Sequence, residues 1–325
     1  MFGPAMKTRL LKNWPWANLL LALSTLLGLV VWTLLEGTGQ DGDSAMHFYF
    51  AEAAWRNPAL LLDLWAKPAY TFFAAPWAQG GFAYLQLFNF FNGLLASYFA
   101  YRIGRHFHLA LAPLLLVLPW LTRAYWPICF TGLTEPFAAM VLTGGVLLLL
   151  KRRWAPAYLL LSLLPFIRFE LNAVLPVLML YGLLNRRWEW LLALSTTLLL
   201  ALIGWNLFGS PFWFLSSTYD SGPSAYGSGT ASHFFVGYYK MVGPVVALAT
   251  LGGFLWALRL PRSTFWPQLW LILLPSLILF GGHALVWYWG VYASAGMLRV
   301  ILPVFPFFFF LALQALEGLL RLFTR

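Results

Sequence analysis

The sequence predicts an all-α, polytopic bundle of membrane-spanning helices, and three observations carry that expectation. Charged residues make up only 9% of the 325 and hydrophobic residues 61%, whereas a soluble domain carries roughly 25% charged residues. Apolar runs of about 20 residues, the length that crosses a hydrocarbon core, recur along the chain, and strand-like alternation is weak. Aromatic residues reach 19%, with 18 Trp, many beside charges at segment ends, where an interfacial belt places them.

Charge then orders the elements. The net charge of +10 is not a nucleic-acid footprint, because the cations form short clusters between apolar runs and no basic domain; no nucleic-acid partner is expected. The clusters are Lys7/Arg9/Lys12, Arg102/Arg105, Lys151/Arg152/Arg153, Arg186/Arg187, Arg259/Arg262 and Arg321/Arg325. Set in the cytoplasm by the positive-inside rule, they require an out-and-back crossing between each consecutive pair. That gives about ten membrane segments with both termini inside. The segments are 16–35, 82–101, 109–122, 131–150, 155–167, 171–184, 189–208, 235–257, 265–282 and 300–320, one integral membrane domain over 1–325.

The first run, Trp16 to Leu35, follows a basic start, exceeds a signal-peptide core and lacks a small-residue cleavage site, so it reads as a retained helix. For 155–184, one long helix competes with a hairpin. The hairpin, bent at "RFE" between Pro165 and Pro176, keeps Arg168 and Glu170 out of lipid and both flanking basic clusters inside. Cys129 is the single cysteine, which excludes an intramolecular disulfide and a cysteine metal cage.

With this topology, every acidic residue except Glu189 and Glu317 falls on the outer face. The same face has the long loops 36–81, 209–234 and 283–299, which hold His47, His233 and His283. Polar chemistry therefore collects opposite the cytoplasm.

Five stretches on that face carry chemistry. The loop 36–81 opens "GTGQDGDSAMHFYF": Asp41 and Asp43 precede a helix from Asp43 to Trp55, broken by Asn57-Pro58 and followed by a short helix over 59–65. Helices too short to span and rich in aromatics lie along the interface. Asp43 suits an N-cap, but a cap needs one acid, and a D-x-D pair suits a base for an acceptor hydroxyl or a divalent cation site for Mg or Mn. In "TGLTEPF", Thr131 or Thr134 suits the cap, and Glu135 either gains from the helix N-terminus or holds a sugar hydroxyl.

Arg168 and Glu170 of "RFE" pair with each other or bind substrate, the planar arginine fork suiting phosphate oxygens. Arg299 begins the last membrane segment on the outer side, where a cation requires a headgroup, a carboxylate or a substrate phosphate. The Gly/Ser/Pro-rich loop 209–234 reads as a lid or acceptor-binding segment, with Asp220 and His233 as candidate site residues. Lys240 follows it and either snorkels or contacts a lipid phosphate. On the second segment, Gln86, Asn89, Gly93 and Ser97 recur at helical spacing and read as packing contacts.

Taken together, Asp41-Gly42-Asp43 after the first helix, the following "KPAYTFFAAPWAQGGFAYLQLFNFF", "LTEPF", "RFE" and "LRVILPVFPF" resemble the GT-C superfamily of membrane glycosyltransferases. "LTEPF" and "RFE" are similar to motifs of its mannosyltransferase branches. The resemblance implies a GT-C-like bundle with interfacial helices in the first outer loop. It implies inverting transfer of a sugar from a polyprenyl-phosphate donor to a lipid, glycan or protein acceptor on the periplasmic, extracellular or lumenal side. By the same resemblance Asp41 is the base, Asp43 assists it or helps hold a metal, and Arg299 with Arg168 stabilises the departing phosphate. Two other classes fit the composition. A lipid or lipid-linked-sugar transporter requires polar residues at the bilayer midplane, and a non-catalytic membrane subunit leaves the outer charges without a shared pocket.

Overall fold

The computed structural model describes residues 15–35, 39–40, 42–215 and 222–323. Among them the chain is all-helical, with one isolated bridge between Pro223 and Val291 as its only extended pairing. Among the described residues, four helices have the length and apolarity to cross a membrane: Trp16–Leu35, Trp188–Phe208, Arg262–Trp289 and Leu298–Phe323.

Helix α1 (Pro15–Leu35) presents Leu19, Leu23, Leu26, Leu27, Val30 and Leu34 outward. It is tied to the rest by Trp32 Nε1, which donates to Ala83 O at 2.8 Å. A helix this apolar with so little protein against it has the length and composition of a membrane span. Three short helices follow: α2 (Gly42–Ala54), a 3₁₀ turn over Pro58–Leu62, and α3 (Pro68–Ala78). The Asn57-Pro58 break falls where expected, whereas α3 is an additional helix within the predicted loop. Between them Asp63 Oδ1 accepts from Ala66 N at 2.8 Å, and Lys67 takes a left-handed φ of 69° before Pro68 starts α3.

Helix α4 (Phe82–His106) packs on α5 (Glu135–Leu150). The segment 109–122, expected to span, is two 3₁₀ turns, Ala112–Leu116 and Leu118–Leu121, each with proline near its start. Proline removes a backbone donor, so no continuous α-helix forms. Next, α6 (Trp154–Leu161) and α7 (Leu175–Leu184) flank the "RFE" turn as the hairpin predicts, and α8 (Ser195–Phe208) follows.

Two further departures concern the later segments. The expected span 235–257 is α9 (His233–Val242) and α10 (Pro244–Ala257), meeting at 120°. Gly243 has φ +83° and Pro244 restarts the helix, a pairing that breaks helical hydrogen bonding. Helix α11 (Arg262–Trp289) is longer than expected and carries His283 inside it, not in a loop. A π turn over Leu269–Leu273 sits where Pro275 cannot donate back to Leu271, which lets the helix continue past the proline.

Helix α12 (Phe305–Phe323) is the axis of the molecule: Phe305, Phe307, Phe308, Phe309 and Phe310 are all buried, and α10 lies along it. Its polar residues Gln314, Glu317 and Arg321 fall in the second half, and the all-apolar first half lies in the core.

Candidate functional site

Six segments far apart in sequence meet around one cavity of about 650 Å³, and its wall includes Asp43, His47, Lys67, Glu135, Arg168, Glu170, His283 and Arg299. Helix α2 contributes Asp43 and His47 from one face at i, i+4. Glu135 is the first residue of α5. The hairpin turn supplies Arg168 and Glu170, α11 supplies His283, and the 3₁₀ turn Leu298–Val304 before α12 supplies Arg299.

The ionised groups form an alternating chain. Glu135 Oε1 lies 2.7 Å from Arg168 Nη1 and 3.2 Å from Arg299 Nε, so one carboxylate oxygen spaces two guanidinium groups. Arg168 also pairs with Glu170, whose Oε1 is 3.6 Å from His283 Nε2, and Arg299 also pairs with Asp43. The pairing expected within "RFE" is made, but Arg168 also reaches Glu135 and donates to Thr134 Oγ1 at 3.2 Å. Thr134 holds the N-cap position of α5 without a side-chain cap bond. Its hydroxyl serves Arg168, which corrects the capping expectation.

Asp43 is corrected likewise: it lies in the first turn of α2, and its carboxylate points to Arg299. Burial would raise the Glu170 carboxyl, and the Arg168 guanidinium and His283 more than offset this, holding it below the usual carboxylate range. His47 stacks on Trp65 at 5.0 Å, and its pKa is pushed down to about 3 by burial and by the cations Lys67, Arg168 and Arg299. It therefore faces the cavity as a neutral imidazole.

The loop that presents Glu135 is held by residues read from sequence as helix packing. Asn89 Nδ2 donates to Thr131 O and Leu133 O, both at 2.7 Å, and to Tyr70 Oη at 3.1 Å. Gln86 Nε2 donates to Phe130 O at 2.9 Å, and Tyr70 Oη donates to Gly132 O at 2.8 Å. Gly132 N in turn donates to Ser44 Oγ at 2.7 Å, tying this loop to the helix of Asp43. A Cβ on residue 132 would stand 2.4 Å from Ser44 O, so only glycine permits this approach.

The roof of the cavity is a pair of loops. Ser224 N donates to Gly290 O at 2.6 Å, Ser224 Oγ to Ser294 O at 2.7 Å, and Gly229 N to Trp287 O at 3.1 Å. His233 Nε2 donates to Gly296 O at 2.7 Å. His233 thus anchors the roof and is not part of the cavity wall. Tyr226 and Tyr292 do line it.

Of the expected site residues, Asp43, His47, Glu135, Arg168, Glu170 and Arg299 converge. Lys240 is exposed on α9 and away from the cavity wall. Asp41 and Asp220 lie outside the described residues. Lys67 was not singled out from sequence, although it is an outer-face cation by the same logic as Arg299. It also lines an adjoining, mostly apolar cavity of about 250 Å³, which shares Phe169 and Asn172 with the larger one. Asp41, the other half of the D-x-D pair read as a divalent cation site, lies outside the described residues; among those described, Arg299 engages Asp43 and no group of three His, Cys, Asp or Glu is placed to hold a metal. Comparison of the chain with protein-family models, with curated proteins and with solved structures finds no match.

Proposed function

We propose that this protein is a membrane glycosyltransferase of the GT-C type, in a bundle of about ten membrane segments, that transfers a sugar from a polyprenyl-phosphate donor on the non-cytoplasmic side. One observation carries the proposal: two arginines from distant segments, spaced by the buried Glu135, share a cavity with the more exposed carboxylate of Asp43. An arginine pair held ready for an anion beside an accessible carboxylate suits transfer away from a phosphate.

In the step proposed, the acceptor hydroxyl oxygen bonds to the anomeric carbon as the bond from that carbon to the phosphate oxygen breaks. The bonding pair leaves with the phosphate, whose growing charge Arg299 and Arg168 stabilise, and the hydroxyl proton passes to a carboxylate of the Asp41-Gly42-Asp43 stretch. Lys67 stands at the junction with the smaller cavity, whose apolar wall suits the first units of the polyprenyl chain.

The test is incubation of the purified protein with a panel of polyprenyl-phosphate sugars and candidate acceptors, with and without chelator, followed by mass analysis. Transfer is expected from one donor, with Arg299→Ala lowering kcat/KM roughly 100-fold or more and Asp41→Asn abolishing turnover in a folded protein. No transfer from any donor, or undiminished turnover in Arg299→Ala, would reject the proposal.

A further inference from the structure

The three acids of the charge chain are not held equally. Glu135 is 1% exposed and touches both guanidinium groups. Withdrawing it would leave two part-buried cations without their shared counter-charge, a loss on the scale of breaking a buried ion pair. Asp43 is 39% exposed, in the first turn of α2, and meets Arg299 through Nη2 while the Nε edge of that guanidinium faces Glu135. Water already reaches the Asp43 carboxylate, so releasing it costs less than withdrawing the buried Glu135 from its two cations. An anion entering the cavity therefore competes with Asp43 for Arg299 and leaves Glu135 in place.

We propose that Asp43 is a displaceable latch: the anionic phosphate ester of the donor takes Arg299 from it, and only then is the Asp43 carboxylate free to accept a proton or a hydrogen bond from an acceptor hydroxyl. The latch rests on the phosphate-donor function proposed above and adds an order of events to it. Without donor, the arginine that would receive the leaving group and the carboxylate that would engage the acceptor hydroxyl neutralise one another. With donor bound, both are released for their tasks, so the donor binds before the acceptor.

The latch makes a prediction of unusual sign. An acid that helped to build the site would weaken anion binding when removed, whereas a competitor strengthens it. Farnesyl phosphate and, separately, inorganic phosphate are titrated into the detergent-solubilised full chain, with the thermal melt of each variant recorded as a folding control. Asp43→Asn is expected to tighten farnesyl phosphate binding about threefold or more, and Arg299→Ala to abolish it. Tightening for inorganic phosphate as well assigns recognition to the phosphate alone, and tightening for farnesyl phosphate only assigns it to the lipid-linked form.

Carbodiimide labelling of the wild-type protein, read by mass spectrometry at Asp43, provides a second measurement that needs no variant. Farnesyl phosphate is expected to increase Asp43 labelling. Equal or weaker binding by Asp43→Asn, or decreased labelling of Asp43 with ligand, would overturn the latch. If tightening is observed but no polyprenyl-phosphate sugar supports transfer, the latch stands and glycosyl transfer is rejected.

Discussion

At the scale of single residues, the site is a problem of placing charges in a mostly apolar chain. His47 shows how the surroundings decide a protonation state. Its native pKa is about 3 against an ordinary 6.5, so between those values the unfolded chain binds a proton that the native protein does not. Its contribution is constant above pH 6.5, and stability falls as the pH is lowered through this window, by up to roughly 1.4 kcal/mol per pH unit. Melting in detergent from pH 7 to pH 4 is expected to show this slope, with a shallower one in His47→Gln. Equal slopes would refute the burial of a neutral imidazole. Glu135 was legible as an acid at a helix start, but its use was not. Sequence suggested a sugar contact, and the fold makes it the spacer of two arginines.

At the scale of elements, short irregular pieces do most of the positioning. The loop before α5 is fixed by Asn89, Gln86 and Tyr70 from neighbouring helices and closes against α2 through Gly132. Gly132→Ala would force its new methyl into the Ser44 carbonyl at 2.4 Å, so α2 or the loop must shift. The expected cost is about 1–3 kcal/mol, seen as a lower Tm, together with weakened farnesyl phosphate binding because Asp43 and Glu135 separate. A melt unchanged from wild type would show that the two backbones do not approach so closely. Gly243 and Pro244 break the helix inside the expected span 235–257. The length and apolarity of 235–257 nevertheless favoured one span, because hydropathy does not register a 120° bend between two apolar helices.

At the scale of the whole molecule, four helices among the described residues meet the length and apolarity of a membrane span, while others are shorter, bent or made of 3₁₀ turns. The charge map sets Ala225 in an outer loop and Arg153 in a cytoplasmic one. Replacing Cys129 by Ala and introducing Ala225→Cys or Arg153→Cys one at a time gives a direct check with a membrane-impermeant maleimide. Only Ala225→Cys is expected to label in intact cells, and Arg153→Cys only after lysis. Labelling of both from one side would overturn the topology.

The sequence by itself determined the helical class, the apolar segments, the hairpin at "RFE" and which charges were out of place, because each follows from local composition and the cost of charge in lipid. It also marked Asp43, Glu135, Arg168 and Arg299 as candidates before any contact was known. Only the tertiary structure decided that the arginines share one carboxylate, that Asp43 faces Arg299, that His233 anchors a roof and that Lys67 joins the cavity wall. These depend on the mutual placement of segments up to 256 residues apart, which no local pattern encodes. A charge reveals that it needs a partner, and the fold alone selects which one it meets.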